Sequence, residues 1–329
     1  MTPGTTRAAV YGALYVGYIV LGFAMRWNGW IHLDQIWFVD AARHVLDGSW
    51  RLYDFRPPAG TGIAPPDGLA YSYSPLPALL MAPFVALADA LGNTAVGAQV
   101  GGAEGLAARL IALPLLVADV LAMDQLRRLA RAWAPQVDEG VLLLGIIPTL
   151  LVTGFLQVSA NRGHQEGLVL FFLLLTLRVT PRNLLSGGLL AGLTLAAKQT
   201  AVLELAPVGL VLLTPRGLTL TRAAAGRFVV WAGTALAVFA AFMVPPVLAN
   251  PQAVVYAFLT QEGRRVLNGP GLPVWLDGAL AGLLGTESPD YAVWHARLLA
   301  WSNPLLLAAA IACMAGIIVL AARRARPIG

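Results

Sequence analysis

One cysteine, Cys313, is all the thiol that the 329 residues contain. A disulfide within the chain is therefore excluded, and so is a cysteine-held metal cluster. Charge is scarce too, since Asp, Glu, Lys and Arg make up only 12 % of the residues. The basic residues are not interleaved with aromatic ones as single-strand binding requires, so nucleic acid is not an expected partner. The chain also lacks an internal repeat and a low-complexity tail. Only Arg7 precedes the first apolar run, and no small-residue cleavage site follows it. That run is expected to be retained as the first helix.

What is plentiful is apolar side chain. Hydrophobic residues form 58 % of the sequence and mean hydropathy is +0.70, far outside the usage of soluble domains. Long apolar runs recur, which predicts an all-α polytopic membrane protein with one membrane domain over residues 1–329. The net charge of +5 then concerns topology and lipid contact.

Candidate spans are Ala8–Met25, Leu106–Leu126, Val141–Ala160, Leu168–Leu177, Leu184–Ala197, Ala201–Leu213, Phe228–Leu248 and Pro304–Ala322. The shortest fall below the roughly 20 residues of a perpendicular helix, so their ends must reach into polar flanks. Arginines set the topology. They cluster at Arg127, Arg128 and Arg131, at Arg178 and Arg182, at Arg216, Arg222 and Arg227, and at Arg323, Arg324 and Arg326. The positive-inside rule puts every cluster in the cytoplasm, which eight spans with a cytoplasmic N-terminus satisfy. Pro75–Leu91 is apolar, but Pro83 interrupts it and Asp89 sits near its end. As a crossing it would put Arg127 outside, so it is expected to be a juxtamembrane or re-entrant helix on the outer face, started by its prolines. A ninth crossing is the alternative. The outer face then collects residues 26–105, the loop Asn161–Gly167, the helix end at Lys198 and the loop 250–303. Short inside loops leave no room for a cytoplasmic catalytic domain.

The first polar stretch is His32–Gly48. From Asp34 the apolar residues Trp37, Phe38, Ala41 and Val45 recur at helical spacing, with Asp40, Arg43 and Asp47 between them. Gly48 supplies a stop. This predicts a short amphipathic helix on the membrane surface, with an acid in its first turn. Asp34 can there serve as general base on an acceptor hydroxyl or cap the helix it begins, and the two roles are compatible.

Other polar residues gather on the same expected side. Arg51 and Tyr53, with Tyr73 beside prolines, can cradle a sugar or lipid phosphate, or simply order an interfacial loop. In Asn161–Gly167, His164, Gln165 and Glu166 can orient an acceptor, bind a metal, or hydrogen-bond within the loop. Lys198 closes an apolar helix on the outer side, where it can take an anionic phosphate or snorkel to the interface. Arg264 and Arg265 can add a second contact to that phosphate. Asp119 and Glu204 lie deep in helices and are expected to pair or to face a cavity.

Four features recur in order along the first 213 residues. Asp34-Gln-x-x-Phe-x-x-x-Ala42 and Leu46-x-Gly48-x-Trp-Arg-Leu-Tyr53 follow the first helix. Tyr73-Ser-Pro-Leu-Pro77 opens an apolar helix, and Gly163-His-Gln-Glu-Gly167 heads a leucine run. Last comes Leu189-x-Ala-Gly-Leu-Thr-Leu-Ala-Ala-Lys198-Gln-Thr. Together they resemble the GT-C superfamily of integral-membrane glycosyltransferases, and most closely its bacterial mannosyltransferase-like members. The resemblance implies a GT-C-type transmembrane module, with residues 214–329 as added helices. It implies an outward-facing site, a polyprenyl-phosphate sugar donor, a lipid- or glycan-linked acceptor, and Asp34 as base. No cofactor and no resident metal are expected. Glu166 stands where the superfamily more often has an aspartate, and the chain is short for it, which leaves room for a partner subunit. The other function class that fits is a non-catalytic lipid-linked-sugar binder, flippase component or assembly subunit.

Overall fold

The computed structural model describes residues 3–29, 31, 33–54, 71, 73–151, 165–213, 221–255 and 257, and further on 280, 282–285, 287–294 and 297. Among these residues there is no strand. The helices are α1 (Pro3–Asn28), α2 (Leu33–Leu46), α3 (Pro75–Leu91), α4 (Ala95–Gln99), α5 (Gly102–Leu110) and α6 (Ala112–Trp133). Then come α7 (Glu139–Leu151), α8 (Glu166–Val179), α9 (Leu184–Ala197), α10 (Val202–Leu213), α11 (Arg222–Ala249) and α12 (Pro251–Val255). Six of the eight expected spans fall on helices α1, α5–α6, α8, α9, α10 and α11, and of Val141–Ala160 the described part, to Leu151, is α7. The eighth, Pro304–Ala322, lies outside the described residues, as do Arg216, Arg323, Arg324 and Arg326.

Among the described residues, three stretches are long and apolar enough to cross a membrane: Ala9–Asn28 in α1, Gly102–Trp133 across α5 and α6, and Arg222–Ala249 in α11. At 1.5 Å per residue α6 alone measures about 33 Å, close to the roughly 30 Å of hydrocarbon in a bilayer. The α5 turns therefore project past it.

Side-chain pairs fix the direction of each long helix. Tyr11 donates to Glu139 Oε1 at 2.5 Å and lies under the Arg127 guanidinium, 4.5 Å away. Tyr18 reaches Asp119, and Arg26 Nε donates to the Ala108 carbonyl at 3.2 Å. As numbers rise along α1 they fall along α6, so these two are antiparallel. Gly167 lies against Asp119 and Arg178 Nη1 donates to Gln125 Oε1 at 2.5 Å, so α6 and α8 run together. Gly187 meets Thr180 while Lys198 meets Glu166, which turns α9 back along α8. Gly188 against Thr234 and Gly192 against Val238 make α9 and α11 parallel.

The arginines at 127–131, 178–182 and 222–227 consequently share one end of the bundle. Arg26, Ser74, Glu166, Lys198 and Asn250 share the other. At the arginine end, Arg131 and Arg127 both face Glu139, which ties the start of α7 to the end of α6.

Helices α2 to α5 pack together at the opposite end around Phe38, Met81, Val85, Leu106 and Ile111. Arg43 fastens them, pairing with Asp89 Oδ1 of α3 at 2.8 Å and with Glu104 of α5. Burial disfavours the Arg43 charge, yet the bonds to both carboxylates outweigh it and raise its pKa above the ordinary guanidinium value. The expected stop after α2 is present: Gly48 has φ +68° and its N–H donates to the Val45 carbonyl at 3.0 Å, a conformation glycine adopts without a Cβ penalty.

Helix α3 occupies the span Pro75–Leu91 as expected, but Pro83 does not interrupt it. A proline removes one backbone bond, and the apolar face formed by Met81, Ala82, Val85 and Ala88 is buried on both sides of it. The helix starts beside α9, at Ser74, and ends against the beginning of α5, where Asp89 meets Arg43. It thus leads away from the end of α9 instead of running back along the bundle.

Candidate functional site

Helix α9 stops at Ala197, and Lys198 adopts extended backbone, φ −155° and ψ 119°. A single turn, Gln199–Ala201, then leads into α10. The chain is broken here at a bundle end, and the break turns the Lys198 ammonium towards α8. It meets Glu166 Oε1 at 3.0 Å. Glu166 is the first residue of α8, where the helix dipole favours a carboxylate. Neither partner is sealed off, with side chains 28 % and 40 % exposed. Glu204, in the first turn of α10, lies within reach of both charges. The ammonium therefore contacts one carboxylate, with a second close enough to act on it electrostatically.

The backbone around this pair is held from three directions. From α3, Ser74 Oγ donates to the Leu195 carbonyl at 3.0 Å, with Gln199 Oε1 at 3.3 Å. Ser74 stands at the N-cap of α3 but makes no cap bond there, because its hydroxyl goes to α9. From α6, Asp119 is fully buried and accepts from Tyr18 OH at 2.6 Å. Its other oxygen lies against Gly167, where any Cβ would overlap the carboxylate. An acid thus faces the first turn of α8 from the neighbouring helix, where helix N–H groups and dipole favour it. Beside this turn Gln165 is fully buried, and neither its amide N nor its O has a hydrogen-bond partner.

Aromatic rings connect α2 to the Ser74 region that holds the end of α9. Phe38 stacks on Tyr73 at 4.9 Å and meets Tyr71 edge-on at 5.6 Å. Tyr53 OH donates to the Tyr73 carbonyl at 2.9 Å, and Tyr71 OH to the Ser74 carbonyl at 2.8 Å. Burial pushes both phenols well above their usual pKa, so they remain protonated donors. Asp34 is one turn ahead of Phe38 on α2, and both are buried, so they share its inner face. Helix α2 begins at Leu33. Asp34 therefore lies inside the first turn, as expected, and complements the helix dipole there.

The expected site residues fall into three groups. Lys198, Gln165 and Glu166 come together, while Asp34, Tyr53 and Tyr73 lie on the aromatic flank beside them. Arg51 is on the rim, 54 % exposed and 3.2 Å from Asp54, and Asn250 Nδ2 donates to the same carboxylate at 2.5 Å. His164, Arg264 and Arg265 lie outside the described residues. Glu204 faces a cavity of about 380 Å³ between α8 and α10, lined also by Leu173, Leu177, Val211 and Arg227. Among the described residues no cluster of His, Cys, Asp and Glu is arranged to hold a metal ion.

Ser74, Gln199 and the Tyr18–Asp119 pair are polar parts that sequence reasoning passed over or left without partners. Tyr18 and Asp119 are 101 residues apart, and no local spacing couples them. For Ser74 the only signal is a cap-type residue before Pro75. No protein-family model, no curated protein and no solved structure matches this chain.

Proposed function

We propose that the protein is a membrane glycosyltransferase of the GT-C type. It moves a hexose, mannose first among the candidates, from a polyprenyl phosphate to a lipid- or polymer-linked acceptor. The observation that carries this reading is Lys198, the only lysine of the chain. It is held at a helix break on the same bundle end as the buried acid Asp34. The ordered motifs from Asp34 to Lys198 supply the substrate class.

In this mechanism Asp34 accepts the proton of the acceptor hydroxyl as its oxygen attacks the anomeric carbon. The bond from that carbon to the phosphate oxygen breaks, and polyprenyl phosphate leaves with the electron pair. Lys198, joined by Arg264 or Arg265, stabilises the charge that develops on the phosphate. Gathering the arginine clusters at 127–131, 178–182 and 222–227 at one end, with Asp34 and Lys198 at the other, supports eight crossings, with a cytoplasmic N-terminus and an outward-facing site in the cell membrane.

Orientation is tested by single cysteines at positions 93–103 in a Cys313→Ser background. A membrane-impermeant thiol reagent added outside should label them in intact cells. A silent segment there would overturn the eight-span topology.

Donor binding is tested at Lys198. A hydrogen bond to a charged group contributes about 1.5–3 kcal/mol, so Lys198→Ala should weaken polyprenyl-phosphate binding by about 10- to 100-fold. Lys198→Arg should retain part of it, because a single-point contact depends on charge more than on shape. Equal donor affinity in the wild type and Lys198→Ala would leave the lysine only a snorkelling role.

A further inference from the structure

We infer that Glu166 is an internal stand-in for the donor's phosphate, and that Lys198 exchanges this carboxylate for the phosphate when donor binds. The inference rests on the reading of Lys198 as a phosphate contact. Geometry supplies the first argument. The ion pair is a single contact at 3.0 Å between two partly exposed side chains, so a second anion can approach the ammonium from outside. Both components of an anion site are already present, the ammonium and the first turn of a 14-residue helix. The anion now occupying them is the protein's own.

Charge supplies the second. Glu204 acts electrostatically on both members of the pair, while Glu166 is the carboxylate in contact with the ammonium. A phosphodiester added without any displacement would compete with Glu166 for the one ammonium and add a further anion beside Glu204. Like charges repel, so such a crowded arrangement is disfavoured. One carboxylate must therefore leave the ammonium. Glu204 belongs to the second turn-forming segment of the break, whereas Glu166 makes the direct contact, so Glu166 is the group exchanged.

The surrounding structure shows how this happens without moving the helix. Asp119 and Gly167 hold the first turn of α8 from below, and Gln165 is locked beside it in the core. Exchange is then a rotation of the Glu166 side chain towards solvent. The fully buried Gln165 amide, unpartnered at both ends, directly precedes Glu166 in the chain.

Lys198 reports on itself, because it is the only lysine. Its acylation by a water-soluble N-hydroxysuccinimide ester can be followed by peptide mass spectrometry, apart from the α-amino group. The full-length protein is placed in phosphatidylcholine vesicles with increasing polyprenyl phosphate. Lys198 of the wild type should become protected. In Glu166→Gln the concentration for half-protection should fall about 5-fold, the factor that a partly exposed ion pair of roughly 1 kcal/mol represents. Glu166→Asp, which keeps the charge but shortens its reach, should shift in the same direction and serves if the glutamine variant does not fold. Unchanged or weaker protection in both variants would overturn the exchange. Absence of protection in the wild type and in both variants would instead overturn the phosphate reading itself. Inorganic phosphate in lipid-free micelles should protect only at far higher concentration, and equal potency would make the site one for free phosphate.

Discussion

Gly167→Ala is expected to destabilise the protein by about 3 kcal/mol, the upper range for forcing a carbon into a packed interior. The added methyl has no free volume, because it would overlap the Asp119 carboxylate on α6. Either α8 slides away from α6, or the carboxylate turns out of its bond to Tyr18 and strands a buried charge. Both outcomes loosen the turn that carries Glu166. The measurement is thermal unfolding in detergent, with the Lys198 acylation rate as a local reporter, and both should worsen together. A double-mutant cycle identifies the cause. Asp119→Ala and Tyr18→Phe together remove the carboxylate that the methyl would overlap and the hydroxyl bonded to it. In that background Gly167→Ala should add little further cost. A full additive penalty there would mean that the glycine is needed for some contact other than Asp119.

This pair illustrates which parts of the molecule could be read from its sequence. The extents of α3 and α9 were legible because prolines, glycines and arginines bracket their apolar runs. The expected extension of the short span Leu168–Leu177 into polar flanks also occurs, since α8 takes in Glu166 at its start and Arg178 near its end. Apolar runs report on single helices, and directions follow once arginines are forced to one side. The small helix α4 and the start of α5 at Gly102 were hidden in the presumed outer loop 26–105, because short polar helices have no periodicity long enough to detect. Pairings were the least legible. Arg43 joins α2 to residues 46 and 61 positions away, and Ser74 joins α3 to a carbonyl 121 positions away. Such partners are chosen by packing, on which local spacing is silent. The motif Gly163–Gly167 and the one ending at Lys198 could be named separately as polar. That they form one ion pair follows only from the antiparallel packing of α8 and α9.

The largest effect on activity is expected at Asp34. Asp34→Asn preserves shape in the first turn of α2 and leaves the packing of Phe38 against Tyr73 undisturbed. It forfeits the favourable interaction of a charge with the helix dipole, about 0.3–1 kcal/mol. Expression and thermal stability should therefore remain close to wild type. What the amide cannot do is take a proton from the acceptor hydroxyl. General-base catalysis contributes about 10²- to 10⁴-fold, so transfer should fall by that factor while donor binding, governed by Lys198, stays intact. Asp34→Ala should lose the same activity and additionally some stability, because it removes every polar contact of a buried side chain. The assay follows a radiolabelled sugar from polyprenyl phosphate to endogenous lipid acceptors in membranes, with acylation of Lys198 reporting donor occupancy in the same samples. Transfer at the wild-type rate by Asp34→Asn would reduce Asp34 to a helix-start residue and remove the centre of the enzymatic mechanism. If wild type and variant both take up donor and neither transfers, the protein is a lipid-linked-sugar binder or assembly subunit. In that case the Lys198–Glu166 exchange survives as a binding device, because it requires the phosphate and not the chemistry at Asp34.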